Sequence, residues 1–205
     1  MIGDSRPGAP AIHGYWSGDQ GQVGAFLHGY DSLWLQASLL EKDQQPRLTD
    51  ALFAASRHKK FEMHFNKGIA GAPLAAIAAT KDTATNPAVV EAFVLVIIAD
   101  GGFPAYPGLA RGTTEPANSP ANLVAARNNK HKIDLAAAEL RKIAPNAGSY
   151  VSESNYFNAS WEKAYWGTNY SKLRAIKKKY DPEGLFFAHH GVGSEEWSAD
   201  GFTRR

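Results

Sequence analysis

The chain has 205 residues, 44% of them hydrophobic, and sets 22 lysines and arginines against 20 aspartates and glutamates for a formal net charge of +2. That is enough apolar material for one domain or one and a half with a real core, and too even a balance for a surface given over to nucleic acid. With no cysteine, disulfides, thiolate metal sites, a thiol nucleophile and cofactor attachment through sulfur are all excluded.

The opening stretch MIGDSRPGAPAIHGYW (1–16) has no charged segment leading into an apolar one, so it does not read as a secretory signal. Gly3, Pro7, Gly8 and Pro10 read as a linker, as in a chain that begins in mid-protein. AIHGYWSGD (11–19) predicts a strand running into a turn. QVGAFLHGYDSLW (22–34) predicts a helix, because Val23, Phe26, Leu27, Tyr30 and Leu33 fall at helical spacing. LTDALFAASRH (48–58) predicts a second helix capped by Thr49 or Asp50. KFEMHFNKG (60–68) alternates, with Phe61, Met63 and Phe65 on one face and Glu62, His64 and Asn66 on the other, which predicts a half-buried strand.

APLAAIAATKDTA (72–84) predicts a short helix with a proline near its start. AFVLVIIA (92–99) predicts a buried strand. The wider run AVVEAFVLVIIA (88–99) is too short to span a bilayer and carries Glu91. GGFPAYPGLARGTTEPANSP (101–120) reads as a loop, 121–143 as a long helix and 149–154 as a short strand. Two helices, about 160–166 and 170–180, and a short strand at 185–187 close the chain. The order predicts an α+β fold, a mainly antiparallel sheet flanked by helices.

The segment WGTNYSKLRAIKKKYDP (166–182) invites a nucleic-acid reading. Yet Tyr170, Leu173, Ile176 and Tyr180 align at helical spacing, which predicts a dry face with Lys172, Arg174, Lys177, Lys178 and Lys179 in water. Phosphate or nucleic-acid contact is the competing reading, against which the balanced charge argues. Asp181-Pro182 ends the helix. His64 is either a packed strand histidine or a base. His189 and His190 are adjacent and, on a strand, point to opposite faces, so no metal site is expected. In GSYVSESNYF (148–157), Glu153 is either a carboxylate poised by burial or one at a sheet edge in water. The chain has no phosphate-binding glycine loop, G-x-S-x-G or H-E-x-x-H, so any activity needs groups from elsewhere.

SYVSESNYFNASWEKAYWGTNYSKLRAIKKKYDPEGLFFAHHGVGSEEW (149–197) resembles the C-terminal element of berberine-bridge-enzyme-like FAD-linked oxidases, which are of vanillyl-alcohol-oxidase type. The resemblance is carried by Tyr150, Trp161, Gly167, Asn169, Tyr170, Leu173, Lys177, Asp181, Pro182 and Phe186 at fixed spacings, and more loosely by HFNKGIAGA (64–72). It implies a substrate-domain portion over 1–148 and the berberine-like element over 149–205. It implies oxidation of an alcohol, sugar or amine by hydride transfer to FAD, with a small-molecule substrate and an FAD-binding domain as partners. The flavin domain's pyrophosphate loops, and the histidine that commonly carries covalent FAD, have no counterpart here, so the chain alone is not expected to hold FAD. Relatives often place a tyrosine base where this chain has Glu153. The resemblance therefore implies Glu153 or His64 as base, and Tyr150, Asn169 and Tyr170 as residues facing the flavin or its domain.

The alternative is a non-catalytic module that binds a partner and no flavin. Either way the expectation is no nucleic acid, no membrane, self-association through apolar surface, and a cytoplasmic location if Met1 is the true start.

Overall fold

The computed structural model describes residues 2–3, 7–12, 14–15, 26–66, 72–80, 82–102 and 121–205. The chain forms two compact units, Met1–Gly29 with Asp100–Lys130, and Tyr30–Ala99 with His131–Arg205. In the first, β1 (Ile2–Gly3) and β2 (Gly14–Tyr15) pair antiparallel. There, too, the His28 imidazole meets Phe26 edge-on and accepts a hydrogen bond from the Asn129 amide through Nδ1 at 3.0 Å. Of the strand expected over 11–19, Gly14–Tyr15 is seen, and 16–19 lie outside the described residues, as does nearly all of the 101–120 loop.

The second unit is built on a three-stranded sheet in the order β3 (Phe26–Gln36), β5 (Ala92–Gly102), β4 (Glu62–Phe65). β4 and β5 run antiparallel, with Glu62 opposite Ile97, Met63 opposite Val96 and His64 opposite Leu95. Alternation along each strand sends Leu33, Leu35, Val94, Val96 and Ile98 to one face. There they meet α1 (Gln45–His58) through Leu48, Ala51 and Ala55, and α4 (Leu123–Arg141) through Ile133, Ala136, Ala137 and Leu140. The alanines let both helices sit close to the sheet. This is the α+β architecture expected. No helix among the described residues is long and apolar enough to cross a membrane.

Residues 22–34 are the main correction to the sequence reading. From Phe26 onward they belong to β3, not to a helix. The helical spacing of Phe26, Tyr30 and Leu33 competes with an equally regular alternation of Asp31, Leu33 and Leu35, all buried, and pairing with the apolar β5 decides for the strand. α1 begins at Gln45 with Pro46 in its first turn and has no side-chain cap, so Thr49 and Asp50 lie inside it. Residues 149–154 are a 3₁₀ turn at Val151–Glu153 rather than a strand, and 185–187 form no strand. The expected short helix is α2 (Leu74–Thr80), and a further turn, α3 (Ala88–Glu91), leads into β5. β4 shows the predicted alternation except at Phe65, which is exposed.

Two polar residues on β3 are buried, and both are answered from the C-terminal half. Asp31 takes a bidentate ion pair from Arg141, at 3.0 Å and 2.8 Å. Ser32 shares a hydrogen bond with Ser149 at 2.9 Å and accepts the Tyr150 N–H at 3.0 Å. The Trp34 N–H donates to the Gly148 carbonyl at 2.8 Å. Residues 148–150 thus run along the β3 edge, which is what the strand signal there reflects. A Cβ at Gly148 would lie 2.6 Å from the Ala88 methyl, so this approach needs glycine.

Removing one partner of the Asp31–Arg141 pair leaves a buried charge without compensation. Arg141→Met is expected to lower stability by about 3 kcal/mol or more, whereas the double change Asp31→Leu with Arg141→Met should recover most of the loss. Urea unfolding of the three variants measures both values, and an Arg141→Met midpoint equal to wild type would contradict the role assigned to the pair.

Candidate functional site

On the sheet face away from the helices, the antiparallel register puts Glu62 beside Ile97 and His64 beside Leu95. His64 is exposed, its Nε2 lying 3.4 Å from the Glu62 carboxylate. Tyr30 sits on the same face of β3 as Ser32, since both alternate with the core-facing Asp31 and Leu33. Burial pushes the Tyr30 phenol above its ordinary range, and the negative charges of Glu153 and Glu62 push it further. Glu153 lies in its 3₁₀ turn and Glu62 on β4 beside His64, and their charges are the lesser causes of the Tyr30 shift, after burial. Tyr30 was not singled out from the sequence, because the helical reading of 22–34 gave it a core position. Among the described residues no group of three metal-ligating side chains occurs.

Tyr150, Asn169 and Tyr170 lie elsewhere in the same unit. Tyr150 follows the β3 edge and is 41% exposed. α5 (Trp161–Trp166) ends at Gly167, whose φ of 54° is a conformation suited to glycine and whose Cα hydrogens face Pro87. A single 3₁₀ turn, Gly167–Asn169, then starts α6 (Tyr170–Tyr180). The Asn169 amide donates to the Thr83 and Thr85 carbonyls at 3.1 Å and 2.9 Å. Asn86 reaches the other way, donating to the Ser149 and Ala164 carbonyls at 3.2 Å and 2.8 Å. The two asparagines clamp the 83–88 loop to the corner. The Tyr170 hydroxyl donates to Glu195 and accepts the Gly193 N–H, and burial with the Glu195 bond drives its pKa far up.

α6 departs from the dry-face expectation. Tyr170 and Leu173 are half-buried, but Ile176 and Tyr180 are exposed. The charged side is ion-paired, because the tail beyond it is acidic. Arg174 pairs with Glu195 and Glu196, each at 2.9 Å, and Lys178 lies 3.3 Å from Glu196. Lys177 pairs with Asp181, whose carboxylate also accepts the N–H groups of Leu185 and Phe186 at 2.8 Å and 3.0 Å. Lys172 pairs with Asp82. Asp181 therefore does more than end the helix: it folds the following turn back on it. His189 and His190 also depart from expectation. With no strand there, and with His190 at φ 59°, the two rings lie side by side at 3.8 Å. They sit between Tyr156, stacked on His189 at 4.0 Å, and Trp161, stacked on His190 at 5.3 Å.

Residues 131–193 match the family model described as berberine and berberine like. An uncharacterized FAD-linked oxidoreductase of Arthroderma benhamiae is 38% identical over 82 residues, covering 38% of this chain and 14% of that protein. The VAO-type flavoprotein oxidase VAO615 of Thermothelomyces thermophilus is 42% identical over 60 residues, 29% of this chain and 10% of that one. The crystal structure of the VAO-type flavoprotein MtVAO713 from Myceliophthora thermophila superposes with a TM-score of 0.60 over 82% of this chain, at 20% identity, a likeness of fold. The chain spans about a quarter of that structure's length, 27%. Over those stretches of 60 to 82 residues the chain is similar to FAD-linked oxidoreductases, and FAD is the cofactor associated with those relatives.

The tail's attachment is pH-dependent. The Lys177 hydrogen bond holds Asp181 below the usual carboxylate range, and Arg174, then Lys178, do the same for Glu196. Groups with depressed folded pKa values stabilise above the unfolded pKa of about 4 and lose that contribution as pH falls through the folded value. Protection of the 181–205 amides, taken relative to each amide's intrinsic exchange rate, should therefore be high at neutral pH and fall below about pH 4. Protection unchanged down to acid unfolding of the core would contradict this.

Proposed function

We propose that the chain is the substrate-side portion of an FAD-dependent oxidoreductase acting on an alcohol, sugar or amine, with the FAD-binding domain supplied by other residues of the same or a companion chain. The observation that supports this reading most is a part-buried phenol, Tyr30, within reach of the Glu153 and Glu62 charges, in a chain whose relatives are FAD-linked. Bound FAD would accept a hydride and so supply the redox chemistry. The chain's task is to orient the substrate and take its proton. The raised pKa of Tyr30 keeps that phenol protonated at neutral pH, as a hydrogen-bond donor rather than a base. The proton then goes to the Glu153 carboxylate, with His64 and Glu62 at the outer side of the face.

Of the residues expected to meet the flavin, Tyr150 is the exposed one. The Asn169 amide and the Tyr170 hydroxyl are hydrogen-bonded within the chain, so their part is to shape the corner on which Tyr150 and Glu153 are carried. The FAD-binding domain would dock on the exposed apolar side chains of the berberine-like element, Phe157, Ile176, Tyr180, Leu185 and Phe186. Uncovered, that surface favours self-association. No nucleic acid enters this reading, since Lys172, Arg174, Lys177 and Lys178 of α6 have carboxylate partners within the chain.

Combined with its FAD-binding domain, the Glu153→Gln chain should reduce flavin at least about 100-fold more slowly than wild type, the usual worth of a positioned base. Bleaching of the flavin's visible absorbance in stopped flow gives the rate. An unchanged rate would remove Glu153 from the proton transfer.

A further inference from the structure

A cavity of about 330 Å³ lies between the end of α4, the 155–160 turns and α5. Its character follows from which hydrogen-bonding groups are already used. Arg141 lines it, and the bidentate pair with Asp31 takes one N–H from each terminal nitrogen. The second N–H of each, and Nε–H, remain for another partner. Lys163, also in the lining, donates to the Asn146 side-chain oxygen at 2.8 Å. An ammonium has no acceptor, so it must meet the oxygen of that amide, and the Asn146 NH₂ is left over.

The other two asparagines in the wall repeat the pattern. The Asn155 side-chain oxygen accepts the Phe157 N–H at 2.9 Å, and the Asn158 oxygen accepts the Ser160 N–H at 2.9 Å. A backbone N–H can only donate, so both amide orientations are fixed by their partners. The NH₂ of Asn155 is left to the cavity, and that of Asn158 is shared with the Tyr165 phenol. The main-chain acceptors nearby are taken too. The Asn155 carbonyl receives the Tyr165 hydroxyl and the Asn158 N–H, and the Ala164 carbonyl receives Ser149 N–H and Asn86. The wall therefore offers Lys163, the spare N–H groups of the Asp31-paired Arg141 and a set of amide donors, and it holds no carboxylate.

We infer that this cavity is a binding site for a small oxyanion, a phosphate or a carboxylate with several oxygens. A wall rich in donors and without a carboxylate pairs with a ligand that only accepts. The volume lies at the small end of ligand pockets, which suits such an anion and not a cofactor the size of FAD. The site does not depend on the flavin reading, since Tyr30, Glu62, His64 and Glu153 are not among its groups.

Inorganic phosphate and malonate, each titrated into the full chain, test the proposal, with chloride at matched ionic strength as the control. The side-chain amide signals of Asn146 and Asn155 should shift saturably with phosphate, malonate or both, and not with chloride; which anion binds identifies the source. Lys163→Gln, at an exposed position, should weaken binding about tenfold, the worth of one charge-assisted hydrogen bond. Asn155→Asp keeps the acceptor that Phe157 N–H needs while placing a negative charge in the wall, and should abolish binding with an unchanged far-ultraviolet dichroism spectrum. Shifts no larger than with chloride, or wild-type affinity in either variant, would overturn the inference.

Discussion

A carboxylate at the centre of this fold has no water to turn to. Asp31 is 2% exposed, on the strand face where the rest of the packing is aliphatic, and desolvation of a lone charge there would cost more than the neighbouring leucines contribute. Its ion pair with Arg141 makes the burial tolerable, and in doing so fixes how far along β3 the last turn of α4 can sit. The segment that leaves α4 then meets the β3 edge at Gly148, where the Ala88 methyl admits nothing larger than hydrogen. From that point the geometry of Ser149, Tyr150 and Glu153 follows. The position of the proposed base is thus inherited from a charge pair on the opposite face of the sheet.

The sequence was most readable where pattern and burial agree. Residues 92–99 are apolar throughout, and the result is a central strand buried on both faces. The α4 and α6 periodicities gave helices close to their observed limits. It was least readable where polar groups find partners far along the chain. Nothing local to Asp31 or Ser32 announces Arg141 or Ser149, more than a hundred positions away, so a strand with a buried aspartate reads as an amphipathic helix. The strand signal at 149–154 was half correct for the same reason: the backbone does lie along β3, but a serine side chain takes one of the places that a ladder hydrogen bond would fill.

The candidate site shows the same division. Glu153 and His64 were legible as unusual polar groups, and the structure puts His64 beside Glu62 on an exposed strand face and Glu153 in a 3₁₀ turn. Tyr30 was hidden by the wrong period. Asn169 and Tyr170 stood out through a family resemblance, and their hydrogen bonds turn out to run inward, to the 83–88 loop and the 193–195 tail. A fixed spacing in such a motif can report the scaffold that aims a site as readily as the groups that perform its chemistry.

The acidic end of the chain has one more consequence. α6 carries Lys172, Arg174, Lys177, Lys178 and Lys179 within eight positions, a density that by itself would make a polyanion trap. Glu195 and Glu196 lie across Arg174 and Lys178 where a phosphate backbone would otherwise run. The tail behaves as an intramolecular decoy, a tethered competitor at an effective concentration no free polymer matches. Proteolytic trimming before residue 194 would move the formal net charge only from +2 to +3, yet it would strip Arg174 and Lys178 of their carboxylate partners.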